Sequence, residues 1–234
     1  KTNSQLTYFL IALVSITTFV GLFLTTRYFY ADVVYKKAGD AEDSADYLTA
    51  NTLYQKALSL SSEPKFRNDY ADSLSKTAYY YASKDDAEAL TLYAKQSFEQ
   101  ASQTLKGNPV HINFYKTQAG VFIRLSSLDP SLLDVAETIL IDALSLAPTD
   151  AKIVYNIGLI NLDQEKTVEA IQRFEQAVSL KPNYEAARLE LARMYTDQQE
   201  YQKAKDQYHY ILNYIAPGNT KAREALEALE TLQK

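Results

Sequence analysis

Between Ala151 and Pro182 the chain reads AKIVYNIGLINLDQEKTVEAIQRFEQAVSLKP, two apolar helical runs separated by a polar corner. Val154, Ile157, Gly158 and Asn161 recur at helical spacing, and so do Ala170, Phe174 and Ala177. Gly158 and Ala170 are small where the two helices must approach closely. Asp163, Gln164, Glu165 and Lys166 make the corner between them, and Pro182 stops the second helix by clashing with the preceding turn and lacking an N–H. Neither helix can bury its stripe alone, so the pair demands neighbours on both sides.

In that register the stretch resembles one tetratricopeptide repeat, a helix–turn–helix unit recurring every ~34 residues. Counted from Ala151, Gly158 takes the family's eighth place, Ala170 the twentieth, Phe174 the twenty-fourth and Ala177 the twenty-seventh, with Pro182 closing the unit. The same places recur in a divergent first repeat near 31–64 as Ala38, Ala50, Tyr54 and Ala57. A repeat near 65–108 carries Ala94, Phe98 and Ala101 and ends on the turn signal Gly107-Asn108-Pro109. A third, near 111–150, keeps Ala136, Leu140, Ala143 and Pro148. After the unit at 151–184 comes one near 185–218, with Ala192, Tyr195, Ala204 and Tyr208 in register and Pro217 one place late. Ala222, Leu226, Leu229 and Leu232 then share one stripe of a helix whose other faces are charged, as expected of a cap over 219–234. The resemblance implies an all-α right-handed superhelical solenoid of about five repeats over 31–218, closed by that cap.

Residues 1–30 are of another kind. From Leu6 to Thr26 there is no charge, and the run ends at Arg27. About 21 residues at ~1.5 Å each span ~31 Å, enough to cross a bilayer. A secretory signal peptide has a shorter apolar core, usually ~7–15 residues, and no A-x-A site follows this one. Tyr28, Phe29 and Tyr30 read as an interfacial aromatic belt. With no Pro or Gly cluster before Ala31, the apolar helix is expected to continue into the first repeat as one rod of about 33 residues, roughly 50 Å long, broken at Gly39-Asp40. A chain that starts at Lys1 without methionine reads as processed or as cut from a longer one. Small and hydroxylated residues on the helix (Ala12, Ser15 and Gly21, with Thr17, Thr18 and Thr25) would allow close approach of other helices and hydrogen bonds between them. A lone anchor and an assembly helix are both open readings, and the bundled plan resembles a type IV pilin, with Lys1 for its apolar first residue and Gln5 for its glutamate.

The net charge of −5 and the lack of a basic stripe argue against nucleic acid as a partner. With no cysteine there is neither a disulfide framework nor a thiolate metal site, and no cofactor motif stands out. Ser73-Leu74-Ser75-Lys76 matches S-x-x-K but lies within an expected helix and lacks its partner motifs, so no enzyme activity is expected. His111 and His209, the only histidines, have no ligand set around them. Asp40, Glu42, Asp43 and Asp46 are acidic, but the sixth and twelfth places of a calcium loop counted from Asp40 hold Ala45 and Asn51.

Tyrosine is abundant, at 19 copies against no tryptophan, which suggests contact surface as well as core. In tetratricopeptide proteins the first helices line a concave face, and the family's fifth positions here are Tyr35, Tyr79, Val121, Tyr155 and Leu189. Tyr35, Tyr79 and Tyr155, supplemented by Lys76, Lys152 and Arg193, could bind a peptide, a protein or a glycan, or the tyrosines could pack between adjacent helices. The carboxylate clamp of heat-shock co-chaperones matches only at Lys152 and Asn156.

A broader resemblance covers nearly the whole chain. RYFYADVVYKKA after an apolar helix, then APTDAKIVYNIGLINL and LKPNYEAARLELARMY, is similar to the C-terminal region of bacterial O-antigen ligase or polymerase-type membrane proteins. It implies a bacterial cell-envelope setting and transfers that region's appendage without its catalytic loop. Three functions follow as expectations: a membrane-held interaction scaffold that assembles with copies of itself or with partners through its apolar helix, a pilin-like subunit of an extracellular filament with those helices as its core, or a detached tail of such an enzyme.

Overall fold

A computed structural model describes residues 2–232, apart from the side chains of residues 2, 3, 5 and 232. The readings that rest on Lys1 and on the side chains of Gln5 and Leu232 lie outside the described residues. Those described form helices and turns without a strand.

Helix α1 (Thr2–Asp43) is a single element of 42 residues. Its first part is exposed all round, from Leu6 at 58% to Phe29 at 69%. From Ala31 the helix becomes one-sided, with Ala31, Val34 and Ala38 buried against Ala50, Tyr54 and Ala57 of α2 (Tyr47–Leu60). The break expected at Gly39-Asp40 does not occur, and the helix runs on to Asp43. A helical glycine costs only ~1 kcal/mol relative to alanine, and the packing of Ala38 and Ala41 on the α2 cluster offsets it.

The chain falls into two compact units, Lys1–Leu125 and Ser126–Lys234. In the first, α2 packs on α3 (Pro64–Ala82), α3 on α4 (Ala87–Gly107), and α5 (Ile112–Leu125) on both α3 and α4. In the second, α6 (Leu132–Leu146), α7 (Ala151–Asp163), α8 (Thr167–Leu180), α9 (Glu185–Asp197), α10 (Tyr201–Tyr210) and α11 (Thr220–Leu232) each pack on the next. The third expected repeat is therefore divided, with α5 in one unit and α6 in the other.

Within each unit the small-residue register has its expected use. Ala57, Ala143, Ala177, Ala204 and Ala222 are buried, so backbones approach where a larger side chain would hold them apart. The 65–108 repeat departs from the expected register: Ala94 and Phe98 are only half-buried, and buried Ser97, twelve residues after the Asp85 corner as Ala57 is after Ala45, stands in the place expected of Ala101. Leu226 and Leu229 of α11 close the second unit's core.

Four corners share one geometry that composition did not announce. Among the described residues, Ala45, Asp85, Glu165 and Gln199 are the non-glycine residues with positive φ, at 58°, 60°, 60° and 62°. After each, an N–H reaches back five residues, from Asp46 to Ala41, Asp86 to Tyr81, Lys166 to Asn161 and Glu200 to Tyr195, at 2.8–3.1 Å. This is the Schellman closure of a helix, which satisfies carbonyls the helix leaves open and normally recruits glycine. Left-handed backbone costs an L-residue about 1 kcal/mol. Glu165→Gly is therefore expected to stabilise the protein by ~0.5–1 kcal/mol, read as a higher denaturation midpoint.

A π turn follows α10. It spans Ile211–Ile215, and the Ala216 N–H donates to the Ile211 carbonyl at 2.8 Å. The wider loop absorbs one extra residue while keeping Ile211 buried, which accounts for Pro217 arriving one place late. Beside it Arg188 is only 6% exposed. Its Nε donates to the Pro182 carbonyl at 2.7 Å, its Nη1 to Gln207 at 2.5 Å, and its guanidinium lies 3.5 Å from the centre of the Tyr210 ring. Burial pulls its pKa below the usual arginine value, while those acceptors and the ring satisfy the charge.

Candidate partner-binding surfaces

In the first unit the first helices of the repeats, α1, α3 and α5, are joined by a polar seam. Tyr35 donates to Asp69 at 2.5 Å, and Asn68 donates to Asp69 at 2.9 Å and to Thr117 at 3.0 Å. Tyr54 donates to Glu42 at 2.8 Å, and Lys76 pairs with that same carboxylate. Lys76 also pairs with Asp72 at 2.8 Å, and Arg124 holds the other Asp72 oxygen at 2.8 Å. Glu42, Asp43, Asp69 and Asp72 border a hollow of about 250 Å³ with Gly39, Tyr54 and Thr117. Acids outnumber bases there, so the hollow suits a cationic or hydrogen-bond-donating group.

Burial opposes the charge on Asp72, but Arg124 and Lys76 outweigh it and hold the carboxyl below its ordinary value. Burial likewise opposes the charge on Lys76, and Asp72 with Glu42 raises its pKa above the ordinary lysine value. A depressed folded pKa gives stability that is present above the unfolded value of about 4 and is lost as pH falls through the folded one. The denaturation midpoint is therefore expected to fall on acidification below pH ~4, and Asp72→Asn is expected to flatten that dependence. The raised lysine pKa gives stability present at neutral pH and lost only as strongly alkaline pH is reached.

The sequence candidates have different fates. Tyr35 is half-buried, with its ring stacked on Phe66 at 4.4 Å, so it ties α1 to α3. Tyr79 is 51% exposed near the end of α3. Tyr155 is half-buried between Phe174 at 5.6 Å and Tyr184 at 5.1 Å. Val121 is fully buried, and Leu189 packs on the core of the second unit. Lys76 belongs to the seam, Lys152 is exposed on α7, and Arg193 is paired with Glu190 at 3.1 Å and Asp197 at 3.4 Å. The seam partners Glu42, Asp69, Asp72 and Arg124 escaped the reading of the sequence. Only the i,i+4 spacing of Asp72 and Lys76 hinted at them.

The remaining motifs resolve into structure. Ser73 is fully buried inside α3, and Lys76, held protonated by two carboxylates, is no base for it. His111 stacks on Phe114 at 3.9 Å, and His209 is exposed on α10. Of the acidic group, Asp46 caps α2 by accepting from the Thr49 N–H at 3.2 Å, and Asp40, Glu42 and Asp43 belong to the end of α1.

Ala12, Ser15 and Gly21 are exposed on α1. At about 100° per residue Gly21 lies about 180° round the helix from Ala12, so one neighbouring helix cannot use both. The hydroxyls of Thr17 and Thr18 donate to Val14, and that of Thr25 to Gly21, at 2.8–2.9 Å. In this structure those donors are spent inside the helix rather than offered to a neighbour.

In the second unit α6, α7 and α8 border a polar hollow of about 390 Å³. Asn161 donates there to Glu137 at 3.0 Å, with Lys166, Gln172 and Arg173 around it.

Residues 161–213 match the family model described as tetratricopeptide repeat. No curated protein matches the chain. Among solved structures it is similar to a thermophilic TPR protein of Thermus thermophilus, at TM-score 0.61 and 19% identity, covering 86% of this chain and 99% of that one. It is also similar to pilF of Pseudomonas aeruginosa, at TM-score 0.59 and 17% identity, covering 88% of this chain and 91% of that one. A tetratricopeptide repeat protein from Parabacteroides merdae matches at TM-score 0.59 and 14% identity, covering 87% of this chain and 73% of that one. At these identities the likeness is one of fold: an all-helical tetratricopeptide-type scaffold.

Proposed function

We propose that this chain is a non-enzymatic interaction scaffold, held at a membrane by the first part of α1, whose repeats bind protein or peptide partners. The observation that carries the reading is α1 itself. It is the one described helix long and apolar enough to cross a membrane, its apolar stretch is wholly exposed, and the same helix enters the core of the first repeat. An exposed apolar surface of that length calls for a nonpolar environment. The repeat fold supports the other half of the reading, since such scaffolds present first-helix surfaces to partners. The pilin and ligase resemblances rest on sequence alone and add nothing to it.

Tyr79 in the first unit and Lys152 and Arg193 in the second are the exposed members of the proposed partner-binding set, and Arg193 among them is paired with Glu190 and Asp197. Truncating an aromatic anchor at an interface commonly costs ~2 kcal/mol, about thirtyfold in affinity. Full-length protein in detergent, used as bait beside separate Tyr79→Ala and Lys152→Ala variants, is expected to lose partners in at least one variant at unchanged helical content. Identical captures by all three would sink these surfaces as the binding site.

A further inference from the structure

We infer that the groove where α1 leaves its apolar stretch is a seat for an anionic phospholipid. The inference rests on the membrane reading above and adds the lipid class and the residues that select it. Phe23, Thr26, Arg27 and Tyr30 of α1 meet Ser59 and Leu60 at the end of α2 to enclose about 440 Å³. Arg27 is the first charge after the uncharged run from Leu6 to Thr26, so it stands at one end of a bilayer-length apolar segment. Tyr28, Phe29 and Tyr30, exposed by 53%, 69% and 46%, are at the same level. That is where aromatic side chains sit among lipid headgroups.

The groove walls are apolar at Phe23 and Leu60, suited to the glycerol and upper acyl chains, and its rim is cationic. One Arg27 nitrogen donates to the Ser59 carbonyl at 3.0 Å, which fixes the guanidinium at the rim and leaves further N–H donors for a phosphate. Lys56, one turn before the end of α2, stands 5.4 Å from the centre of the Tyr30 ring. Neither cation has a carboxylate within ion-pair distance among the described residues. Two unpaired cations above an apolar wall, at the depth of the headgroups, complement a lipid phosphate that carries net negative charge.

The test uses the full chain reconstituted into vesicles of phosphatidylcholine with or without phosphatidylglycerol, then extracted gently and weighed intact by mass spectrometry with its retained lipid. Flotation of the same vesicles reports anchoring separately. The wild type is expected to float with both vesicle types and to retain phosphatidylglycerol preferentially. Each cation near a membrane surface contributes about fivefold to anionic preference. Arg27→Gln with Lys56→Gln is therefore expected to float but to lose about 25-fold of that preference. Arg27→Lys, which keeps the charge and alters the Ser59 bond, is expected to retain it. A floating wild type without preference, or a double variant that keeps it, overturns this inference alone. Retention of a second copy of the chain in place of lipid also overturns it. A chain that does not float overturns the membrane reading and this inference together.

Discussion

Phe174→Ala is expected to lower the unfolding free energy by about 3–5 kcal/mol, the range for deleting a buried aromatic ring. Phe174 is fully buried in α8, and its ring meets Tyr155 of α7 at 5.6 Å in the cluster that also holds Leu191, Tyr195 and Ile211. The fixed backbones of α7 and α8 leave little room for collapse around the void, which favours the upper part of that range. Phe174→Leu, which fills much of the space, is expected to cost clearly less. Chemical denaturation followed by helical circular dichroism checks both. An alanine variant with an unchanged midpoint would mean that this ring does not join the two helices.

Gly158→Leu is expected to destabilise by about 1–3 kcal/mol from the opposite cause, overpacking. A β-carbon built on Gly158 would lie 2.7 Å from Phe174 Cε1, 2.9 Å from Cδ1 and 3.2 Å from Arg173 Cβ. Even Gly158→Ala therefore requires the ring to move. The two sites share a contact, so their effects should not add: Gly158→Ala combined with Phe174→Leu is expected to cost less than the separate losses together. An unchanged midpoint for Gly158→Leu would place the helix pair in a different register.

That pair was legible in the sequence because its constraint is local. A small residue on one helix and a ring on the next must occur at fixed spacing, and both do. The four left-handed corners were hidden because Ala45, Asp85, Glu165 and Gln199 share no side-chain chemistry, and only their place after a helix relates them. Gly39 misled because a helix breaker is judged by local cost, whereas Ala38 and Ala41 bury against α2. The π turn left one trace, the displaced Pro217, which periodicity could register but not interpret.

The candidate surface was harder to read. Of Tyr35, Tyr79 and Tyr155, the first and third stand ten residues before the left-handed corners at Ala45 and Glu165, whereas the matching place before Asp85 holds buried Ser75, and Tyr79 lies one turn past it, largely exposed. Phe66 and Asp69 claim the first, and Phe174 and Tyr184 claim the third. Which tyrosine remains available depends on partners that lie distant in sequence, and periodicity does not choose among them.

The unbroken course of α1 has a mechanical consequence. A helix without proline or hinge between its apolar half and the first repeat behaves as a shaft, carrying torsion as well as position. The azimuth of the first repeat is then locked to the azimuth of the apolar segment. One residue added near Tyr30 would turn that repeat by about 100° and advance it ~1.5 Å, whereas four would nearly restore its phase a little over a turn further out. Whatever fixes the rotation of the apolar half thus also sets the direction in which the first repeat faces.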